Sequence, residues 1–317
     1  TELNAIVIDV KDYTGRVSFE MDAPYVQTLG ASKNIIPDIR DFVAELHRKN
    51  IYAIARISVF QDPYFISRHP EVAVKTKSGA IWRDRKGIPW VDPGDPDFWN
   101  YIVLLARESE RVGFDEINFD YIRFPSDGNM RDIAYDHWDG KTSQAEVLRE
   151  FFVYLRAELD KEFSNTRLIR ENHTYIPTAV PLSVDLFGMT TVNYDDLNIG
   201  QVLENAAPYF DYIAPMGYPS HYPPTFLGLD HPASHPYEVI HNAMTVASGR
   251  LLAASSTPSK LRPWLQDFDL GADYTAEMVR KEMRAVYDSG LTSWMSWDAS
   301  NRYTQDAYRI ERAPAIQ

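Results

Sequence analysis

The chain has 317 residues, of which 44% are hydrophobic and 24% are charged. This balance is typical of a folded protein with a large core and excludes a disordered chain. The formal net charge of -13 argues against a nucleic-acid partner, because binding to phosphates needs clustered Lys and Arg. The chain has no cysteine, which excludes disulfides, thiolate nucleophiles and cysteine-ligated metals.

The sequence predicts no transmembrane segment. No apolar run is long enough to cross a bilayer, and no basic segment followed by an apolar one opens the chain. We expect an extracellular or cell-envelope protein whose targeting segment lies outside this chain, although the lack of cysteine suits a cytoplasmic protein equally well. The sequence makes no prediction about the oligomeric state.

Short apolar runs that favour strands alternate along the chain with longer segments of helical periodicity. In chain order the pattern predicts a strand at residues 4–10, a helix at 37–49, a strand at 51–59, a hairpin around 80–83 and 88–91, a helix at 97–111, a strand at 115–120, a helix at 145–161, a strand at 179–186, a short helical stretch near 199–205, a strand at 212–216, a helix at 235–248, a strand at 261–267, a helix at 275–289 and a strand at 292–298. Such alternation of apolar strands with helices predicts a parallel sheet that is covered on both faces.

The number of strands indicates a barrel that lacks one strand. We predict seven barrel strands, whereas a closed (β/α)8 barrel of the TIM type has eight. Because residues 1–3 lead directly into a strand, we expect the first strand and its helix to precede residue 1; a strand hidden in the long loops is the alternative. Residues 4–10 then form the second strand and residues 115–120 the fourth. Composition shows no break, so we predict a single barrel domain over residues 1–317.

Polar side chains gather at the C-terminal ends of these strands. Barrel enzymes place their active sites at this end, because the βα loops converge there. The residues are Asp9, Lys11, Asp12, Arg56, Ser58, Asn118, Asp120, Arg123, Ser183, Asp185, Tyr218, His221, Gln266, Asp267, Trp297 and Asp298. Solvation of a surface does not explain the same pattern at nearly every strand.

The two-residue period of a strand indicates which of these polar side chains point into the barrel. Asn118 and Asp120 share one face with Glu116, and we expect that face to point into the barrel. Asp185 falls on the interior side at the end of its strand. Asp9 and Lys11 are also expected to share a face.

Two interior carboxylates on adjacent strands fit the needs of glycoside hydrolysis. One acid protonates the leaving oxygen, while the second attacks the anomeric carbon or activates water. Arg123, Lys11 and Arg56 could keep a nucleophilic carboxylate ionised through their opposite charge. The structural alternative is a buried ion-pair network that holds the rim of the barrel.

Several segments carry a resemblance to a known family. They are residues 3–12 (LNAIVIDVKD), 90–96 (WVDPGDP), 113–125 (GFDEINFDYIRFP), 215–222 (PMGYPSHY), 262–268 (RPWLQDF) and 294–298 (WMSWD). Over nearly its whole length the chain resembles a bacterial and archaeal family of domains of unknown function. That family is grouped with the glycoside hydrolases and is distantly similar to the α-amylase and α-galactosidase barrels.

The resemblance implies roles for two carboxylates. In amylase-like barrels the nucleophile ends the fourth strand, which is the place of Asp120 here. Their general acid comes from the fifth or the sixth strand; Asp185 ends the fifth, whereas the sixth ends in Tyr218 and His221. The resemblance therefore implies Asp120 as nucleophile and Asp185 as acid/base, with retention of anomeric configuration. An amylase-type acid would be Glu, so Asp185 departs from that pattern.

The remaining candidates are assigned to the substrate or to support of the two acids. This group comprises Asp9, Lys11, Arg56, Asn118, Arg123, Tyr218, His221, Gln266, Trp297 and Asp298. Candidate sugar-stacking rings are Trp82, Trp90, Trp297, Tyr218 and Tyr222. A third amylase carboxylate could correspond to Asp267, although Gln266 competes for the inward position.

We expect neither a cofactor nor a metal. The histidines show no spacing typical of a zinc site, and the loop acids Asp62, Asp92 and Asp95 show no EF-hand spacing. Asp92 and Asp95 fit a turn and the N-cap of the following helix instead.

The sequence thus predicts a glycoside hydrolase acting on a poly- or oligosaccharide, without naming the sugar or the linkage. A non-catalytic carbohydrate-binding barrel of the cell envelope is one alternative. A metal-dependent lyase or aldolase is another, with Asp9, Asp120 and Asp185 as ligands of a hard cation. Lys11 at a strand end would allow a Schiff-base variant.

Overall fold

The computed structural model describes residues 3–163, 167–171, 174–178 and 180–309, with side chains described outside residues 162–179. Eleven strands lie within these residues: β1 (Ala5–Lys11), β2 (Tyr52–Ser58), β3 (Lys75–Thr76), β4 (Glu116–Asp120), β5 (Ile133–Ala134), β6 (Arg167–Glu171), β7 (Thr174–Thr178), β8 (Leu182–Phe187), β9 (Tyr212–Met216), β10 (Trp264–Gln266) and β11 (Met295–Trp297). The α-helices are α1 (Pro24–Leu29), α2 (Ile39–Arg48), α3 (Pro63–Arg68), α4 (Pro96–Val112), α5 (Gln144–Phe163), α6 (Leu203–Ala206), α7 (Pro236–Ala253) and α8 (Ala276–Asp288).

The seven predicted barrel strands are all present. β9 has the predicted bounds, while β10 and β11 are shorter than predicted. Residue 179, where the fifth barrel strand was predicted to begin, lies outside the described residues. Two small antiparallel pairs, β3 with β5 and β6 with β7, were not predicted.

The predicted helices are present with shifted ends. α7 continues five residues beyond its predicted end, and Gly249 lies inside the helix. Asp95 is the N-cap of α4, as predicted: its carboxylate accepts hydrogen bonds from the backbone N–H groups of Asp97 and Phe98 at 2.9 and 3.0 Å. None of the helices in the described part of the chain has the length and apolar content of a membrane span.

The chain forms two compact units. The larger comprises Ala5–Asp185 and Asp195–Asp211, and the smaller is built mainly from Leu186–Tyr194 and the chain from Tyr212 onward. Our expectation of a single barrel domain stays a prediction.

In the larger unit, β1, β2, β4 and β8 lie side by side in that order and run parallel. The odd-numbered residues of β4 face the helical side, as predicted: the Phe119 ring lies 6.3 Å from Phe210, which lies 5.3 Å from Phe152 of α5. All five residues of β4 are buried, so polar side chains on its opposite face need partners within the protein.

In the smaller unit, β9, β10 and β11 form a parallel sheet in that order, and α7 packs against α8. Arg250 of α7 is buried and donates hydrogen bonds of 2.6 Å to the carbonyls of Thr190 and Asn193. These bonds fix the segment that follows β8 to the helix.

A β-bulge near the end of β1 changes the direction of Lys11. Asp9 pairs with Arg56, but Lys11 pairs with Ile57, so Val10 is an extra residue in β1. The expectation that Asp9 and Lys11 share a face is therefore wrong. Asp9 is exposed, whereas the Lys11 side chain is fully buried.

Lys11 forms an ion pair with Asp62 inside the larger unit. Its Nζ lies 2.6 Å from Asp62 Oδ2, and neither side chain is exposed. Burial lowers the pKa of Lys11, while the charge of Asp62 opposes the shift. The other oxygen of Asp62 caps α3 by accepting from Phe65 N–H at 2.8 Å. A Cβ at Gly15 would meet this oxygen at 1.8 Å, so only glycine fits there.

We predict that Lys11→Met lowers the free energy of unfolding by about 3–5 kcal/mol, because it leaves the buried Asp62 without its countercharge. Urea unfolding measures the change. The double variant Lys11→Met/Asp62→Asn should recover part of the loss, since Asn can still cap α3 without a charge. Lys49→Met, which removes an exposed ion pair with Glu45, is the control and should lose less than about 1 kcal/mol. Equal stabilities of Lys11→Met and the control would contradict the prediction.

Candidate active site

Arg56 of β2 lies among three of the predicted acids. Its Nη1 donates to Asp9 Oδ1 at 2.6 Å, its Nη2 forms a short hydrogen bond to Asp120 Oδ2, and its Nε lies 3.6 Å from Asp185 Oδ2. The structure therefore brings Asp120 and Asp185 to the same guanidinium. Asp120 is 5% exposed and Asp185 is 1% exposed, while Asp9 lies at the surface.

The parallel register explains why these side chains meet. Residues two positions apart along a strand point to the same face of the sheet. In neighbouring parallel strands such residues line up across the sheet, so this face carries two rows of side chains. The first row is Asp9, Arg56, Asn118 and Ser183, and the second is Ser58, Asp120 and Asp185. Arg56 is long enough to reach from the first row to the acids of the second.

The charges of the site stabilise one another. Burial by itself would lower the pKa of Arg56, but the attraction of Asp120, Asp9 and Asp185 outweighs it and raises the pKa well above its usual value. The three carboxylates therefore favour the charged form of Arg56. A buried carboxylate without such a partner would be strongly destabilising.

Asp120 is held by both of its oxygens. Oδ2 accepts from Arg56, and Oδ1 accepts from the backbone N–H of Tyr121 at 2.6 Å. Tyr121 has a φ of +53°, in the left-handed region that a residue with a large side chain seldom adopts. This conformation directs the N–H of Tyr121 back to the carboxylate of Asp120. Strained backbone of this kind is common at functional sites.

Asp185 is held on its other side by Asn118. Asn118 Nδ2 donates to Asp185 Oδ1 at 2.9 Å and to Ser183 Oγ at 3.0 Å. Within the described part of the chain, Asn118 Oδ1 is buried and has no hydrogen-bond partner. An acceptor left in this way beside the acids can take a hydrogen bond from a bound molecule.

Arg123 lies behind Asp120 in an aromatic stack. Its guanidinium lies 4.6 Å from the centroid of the Trp90 ring and 5.7 Å from that of Tyr121. Burial lowers the pKa of Arg123, while the charges of Tyr121 and Asp120 act in the opposite direction. Its Nη1 donates hydrogen bonds to Phe124 O and Ser126 Oγ.

Four of the five candidate sugar-stacking rings, those of Trp82, Trp90, Tyr218 and Tyr222, are core residues. Trp82 and Trp90 are each 2% exposed, and their indole N–H groups donate to Asn129 O and to Asp84. Tyr222 is also buried. These rings offer no exposed face, so the expectation that they stack on sugar is wrong. Trp297 is half-buried and lies edge-on to Trp264.

The smaller unit holds the other predicted residues. Gln266 contacts Ser220, which in turn contacts His221, and the His221 ring lies 5.3 Å from the ring of Tyr218. Asp267 accepts from Tyr308 Oη at 2.7 Å and from the backbone N–H of Thr304 at 2.8 Å, so it ties down the segment that follows β11.

Asp298 closes a turn after β11. Partial burial would raise its pKa, but hydrogen bonds from Arg302 N–H and from Ser300 lower it. Its Oδ1 accepts from the backbone of Ser300 at 2.7 Å and of Arg302 at 3.0 Å. These contacts give Asp298 a role in the loop conformation.

Across the residues that the structure describes, no group of three or more His, Asp or Glu side chains is arranged to hold a metal ion. The loop acids have structural partners: Asp62 pairs with Lys11, Asp95 caps α4, and Asp92 accepts from the backbone N–H groups of Gly94 and His137.

Sequence reasoning missed the roles of Tyr121 and Glu282, and it considered Asp62 only as a metal ligand and not as the partner of Lys11. Tyr121 follows Asp120 directly, so its position could have been noted, but its left-handed backbone has no signal in the sequence. Glu282 lies on the buried face of α8, where its helical position next to Met283 gave no reason to select it.

Comparison with known proteins adds a structural relative. No curated protein matches the chain. A hypothetical protein from Ruminiclostridium thermocellum ATCC 27405 is 33% identical over 63% of this chain and 86% of that one, with a TM-score of 0.49.

Two more distant structures show the fold. Alpha-L-fucosidase isoenzyme 2 from Paenibacillus thiaminolyticus is 11% identical with a TM-score of 0.60, and the match covers 93% of this chain and 40% of the fucosidase. The spore cortex-lytic enzyme SleL from Bacillus cereus is 11% identical with a TM-score of 0.50, over 96% of this chain and 66% of SleL. With seven parallel strands in the described residues, the chain has the fold class of a (β/α)8 barrel that lacks one strand.

A family model also matches nearly the whole chain. The model carries the description "Putative glycosyl hydrolase domain" and the name DUF4015, and it covers residues 1–303. Because the match spans nearly all of the 317 residues, the chain belongs to the DUF4015 family of glycosyl-hydrolase-like domains.

Proposed function

We propose that the chain is a glycosidase that hydrolyses a poly- or oligosaccharide with Asp120 and Asp185 as its two carboxyl groups. One observation carries the proposal: Asp120, at the end of β4, and Asp185, within the neighbouring strand β8, both reach the same guanidinium of Arg56. Membership of the family supports the general class of reaction.

The surroundings of the two acids suit different roles. Asp120 is fixed through both oxygens by Arg56 and Tyr121 N–H, which orients it for attack on an anomeric carbon. Asp185 has a longer contact with Arg56 and a hydrogen bond from Asn118, so it is the acid/base. Asp185 donates a proton to the leaving oxygen as Asp120 forms the glycosyl ester. Asp185 then takes a proton from the water that cleaves this ester, and the configuration is retained.

The two alternatives make different use of the same residues. A non-catalytic binding protein would need no acid in a position to transfer a proton. A lyase or aldolase that used Asp9, Asp120 and Asp185 as metal ligands would need a cation where the guanidinium of Arg56 already contacts all three acids. This contact favours the glycosidase. We further propose an extracellular or cell-envelope location, where polysaccharide substrates are found.

We predict that Asp185→Asn lowers kcat by about 10²–10⁴-fold, as expected for loss of a general acid. Asp120→Asn should lower kcat at least as much, because no glycosyl ester can form. Reducing-end release from a glycan library measures activity, and NMR of the first-formed product reports its anomer. Asp160→Asn on the exposed part of α5 is a matched control and should retain full activity.

Full activity in either active-site variant would remove that residue from its role. Glycan binding without release by wild type and Asp120→Asn alike would support the non-catalytic alternative. Loss of activity after exhaustive chelation, restored by a divalent cation, would favour the lyase or aldolase.

Arg56 gives an independent prediction. Arg56→Met should abolish sugar release and lower the free energy of unfolding by about 3–5 kcal/mol, because it leaves buried carboxylates without a countercharge. Arg56→Lys keeps the charge but loses the planar fork of donors, so it should fold and yet show a reduced kcat. Thermal unfolding and kcat are measured on the same samples, with the exposed Arg40→Met as control. Wild-type activity in Arg56→Met would contradict the central role of this contact.

A further inference from the structure

The larger unit contains a cavity of about 250 Å³ that is lined by α4, α5 and the loop of residues 136–142. Among the described residues, the three acids that contact Arg56 are not part of this lining. The volume is close to the lower end of the range for small-molecule sites, roughly 300 Å³. The cavity therefore has the size of a site for a small ligand or for one unit of a polymer.

The two tryptophans that line the cavity are partly exposed. They are Trp99 of α4 and Trp138 of the 136–142 loop. The other tryptophans of the larger unit, Trp82 and Trp90, are buried in the core. An aromatic ring at the boundary between core and solvent can cover the apolar side of a ligand, and a buried ring cannot.

Hydrogen bonds and packing fix the orientation of both indole rings. Trp99 Nε1 donates to Pro93 O at 2.9 Å, and Trp138 Nε1 donates to Thr142 O at 2.8 Å. The Trp138 ring also lies edge-on to Phe124, with ring centroids 5.3 Å apart. Because both N–H groups are already used, each indole presents apolar ring surface to a ligand rather than a donor.

The motif of residues 92–95 (DPGD) holds the wall of the cavity in place. Asp92 is buried and accepts from the backbone N–H groups of Gly94 and His137 at 3.0 and 2.9 Å. A Cβ at Gly94 would lie 2.8 Å from His137 O, so glycine permits the close approach of the loop. Asp95 caps α4 with one oxygen, and its other oxygen lies 3.3 Å from His137 Nε2. The motif thus builds the cavity from contacts within the protein, before any ligand binds.

The charged groups of the cavity are acceptors. Asp136 and Glu150 place exposed carboxylates in its lining, which contains no Lys or Arg among the described residues. Lys141 of the loop pairs with Asp139 at 2.7 Å. Such a site disfavours an anion, whereas the hydroxyl groups of a sugar can donate to the carboxylates. Acceptors beside apolar rings match the hydroxyls and the C–H faces of a neutral sugar.

We propose that this cavity is a second sugar-binding site of the larger unit, separate from the acids at Arg56. The rings of Trp99 and Trp138 pack against the C–H face of a sugar, and Asp136 and Glu150 accept hydrogen bonds from its hydroxyls. The choice of a sugar as the ligand rests on the proposed function, because an enzyme that cleaves a polymer binds it more tightly when it holds the chain at a second point. The site itself needs no contact with the acids.

Binding is measured on the indole N–H signals in ¹H–¹⁵N NMR spectra of the full chain carrying Asp120→Asn, which leaves the glycan intact. The signals of Trp99 and Trp138 are those missing from Trp99→Phe and Trp138→Phe. The probes are cellohexaose, maltohexaose, xylohexaose, the hexamer of N-acetylglucosamine and the glycan that wild type cleaves. We expect at least one glycan to shift both signals with a common Kd and to leave the Trp82 signal unchanged. The lack of such a titration for every glycan would overturn the proposal.

Two further variants in the same background test the lining. Glu150→Ala, read at the Trp138 signal, should weaken Kd by about 3- to 10-fold, as for loss of one hydrogen bond. Trp138→Leu, read at the Trp99 signal, should weaken Kd at least as much, because it removes an aromatic ring and keeps an apolar side chain. Asp160→Ala removes another exposed carboxylate of α5 and is the matched control. If both variants bind as tightly as this control, at equal unfolding temperatures, the proposal is overturned.

The second site and the proposed function fail separately. If wild type cleaves a glycan and no glycan shifts the signals of Trp99 and Trp138, only the second site is overturned. If a glycan shifts both signals and wild type cleaves none, the second site stands and the proposed glycosidase function fails. Shifts caused by tetramethylammonium chloride and by no glycan would identify a site for organic cations and overturn the proposal.

Discussion

The contact of Arg56 with three carboxylates is the interaction on which the acidic site of the larger unit depends. Two of these acids are almost fully buried, and a buried carboxylate without a cation nearby would be strongly destabilising. The attraction of the acids in turn keeps the pKa of Arg56 well above its usual value, although burial acts against it. The Arg56 side chain thus orients Asp120 and Asp185 together. Its guanidinium also sets the distance between the two acids.

The backbone completes what Arg56 begins. The parallel register places Asn118 beside Ser183, so that Asn118 can donate to Asp185, while the left-handed conformation of Tyr121 returns an N–H to Asp120. Asn118 lies in the middle of β4, within the paired part of the sheet, whereas Tyr121 follows directly after the last residue of the strand. The β-bulge in β1 turns the Lys11 side chain away from these acids, so that Lys11 pairs with Asp62 instead.

The smaller unit uses neutral hydrogen bonds where the larger one uses charge. Glu282 holds the backbone of Gln266, and Gln266 directs the hydroxyl of Ser220, which in turn fixes the imidazole of His221. The orientation of the Gln266 amide is determined, because its Nε2 faces carbonyls that can only accept and its Oε1 faces an N–H that can only donate.

The sequence by itself determined the seven strands, most helix positions, the helix-facing side of β4 and the N-cap at Asp95, because periodicity and capping are local properties. It also selected Asp120, Asp185 and Arg56, since polar residues at successive strand ends can be read without coordinates. Only the tertiary structure decided which partners these residues take. The bulge that separates Lys11 from Asp9, the burial of Trp82 and Trp90, and the strained Tyr121 all depend on neighbours distant in the chain. No local pattern encodes these contacts, because they arise when packing brings together groups that are separated by tens of residues.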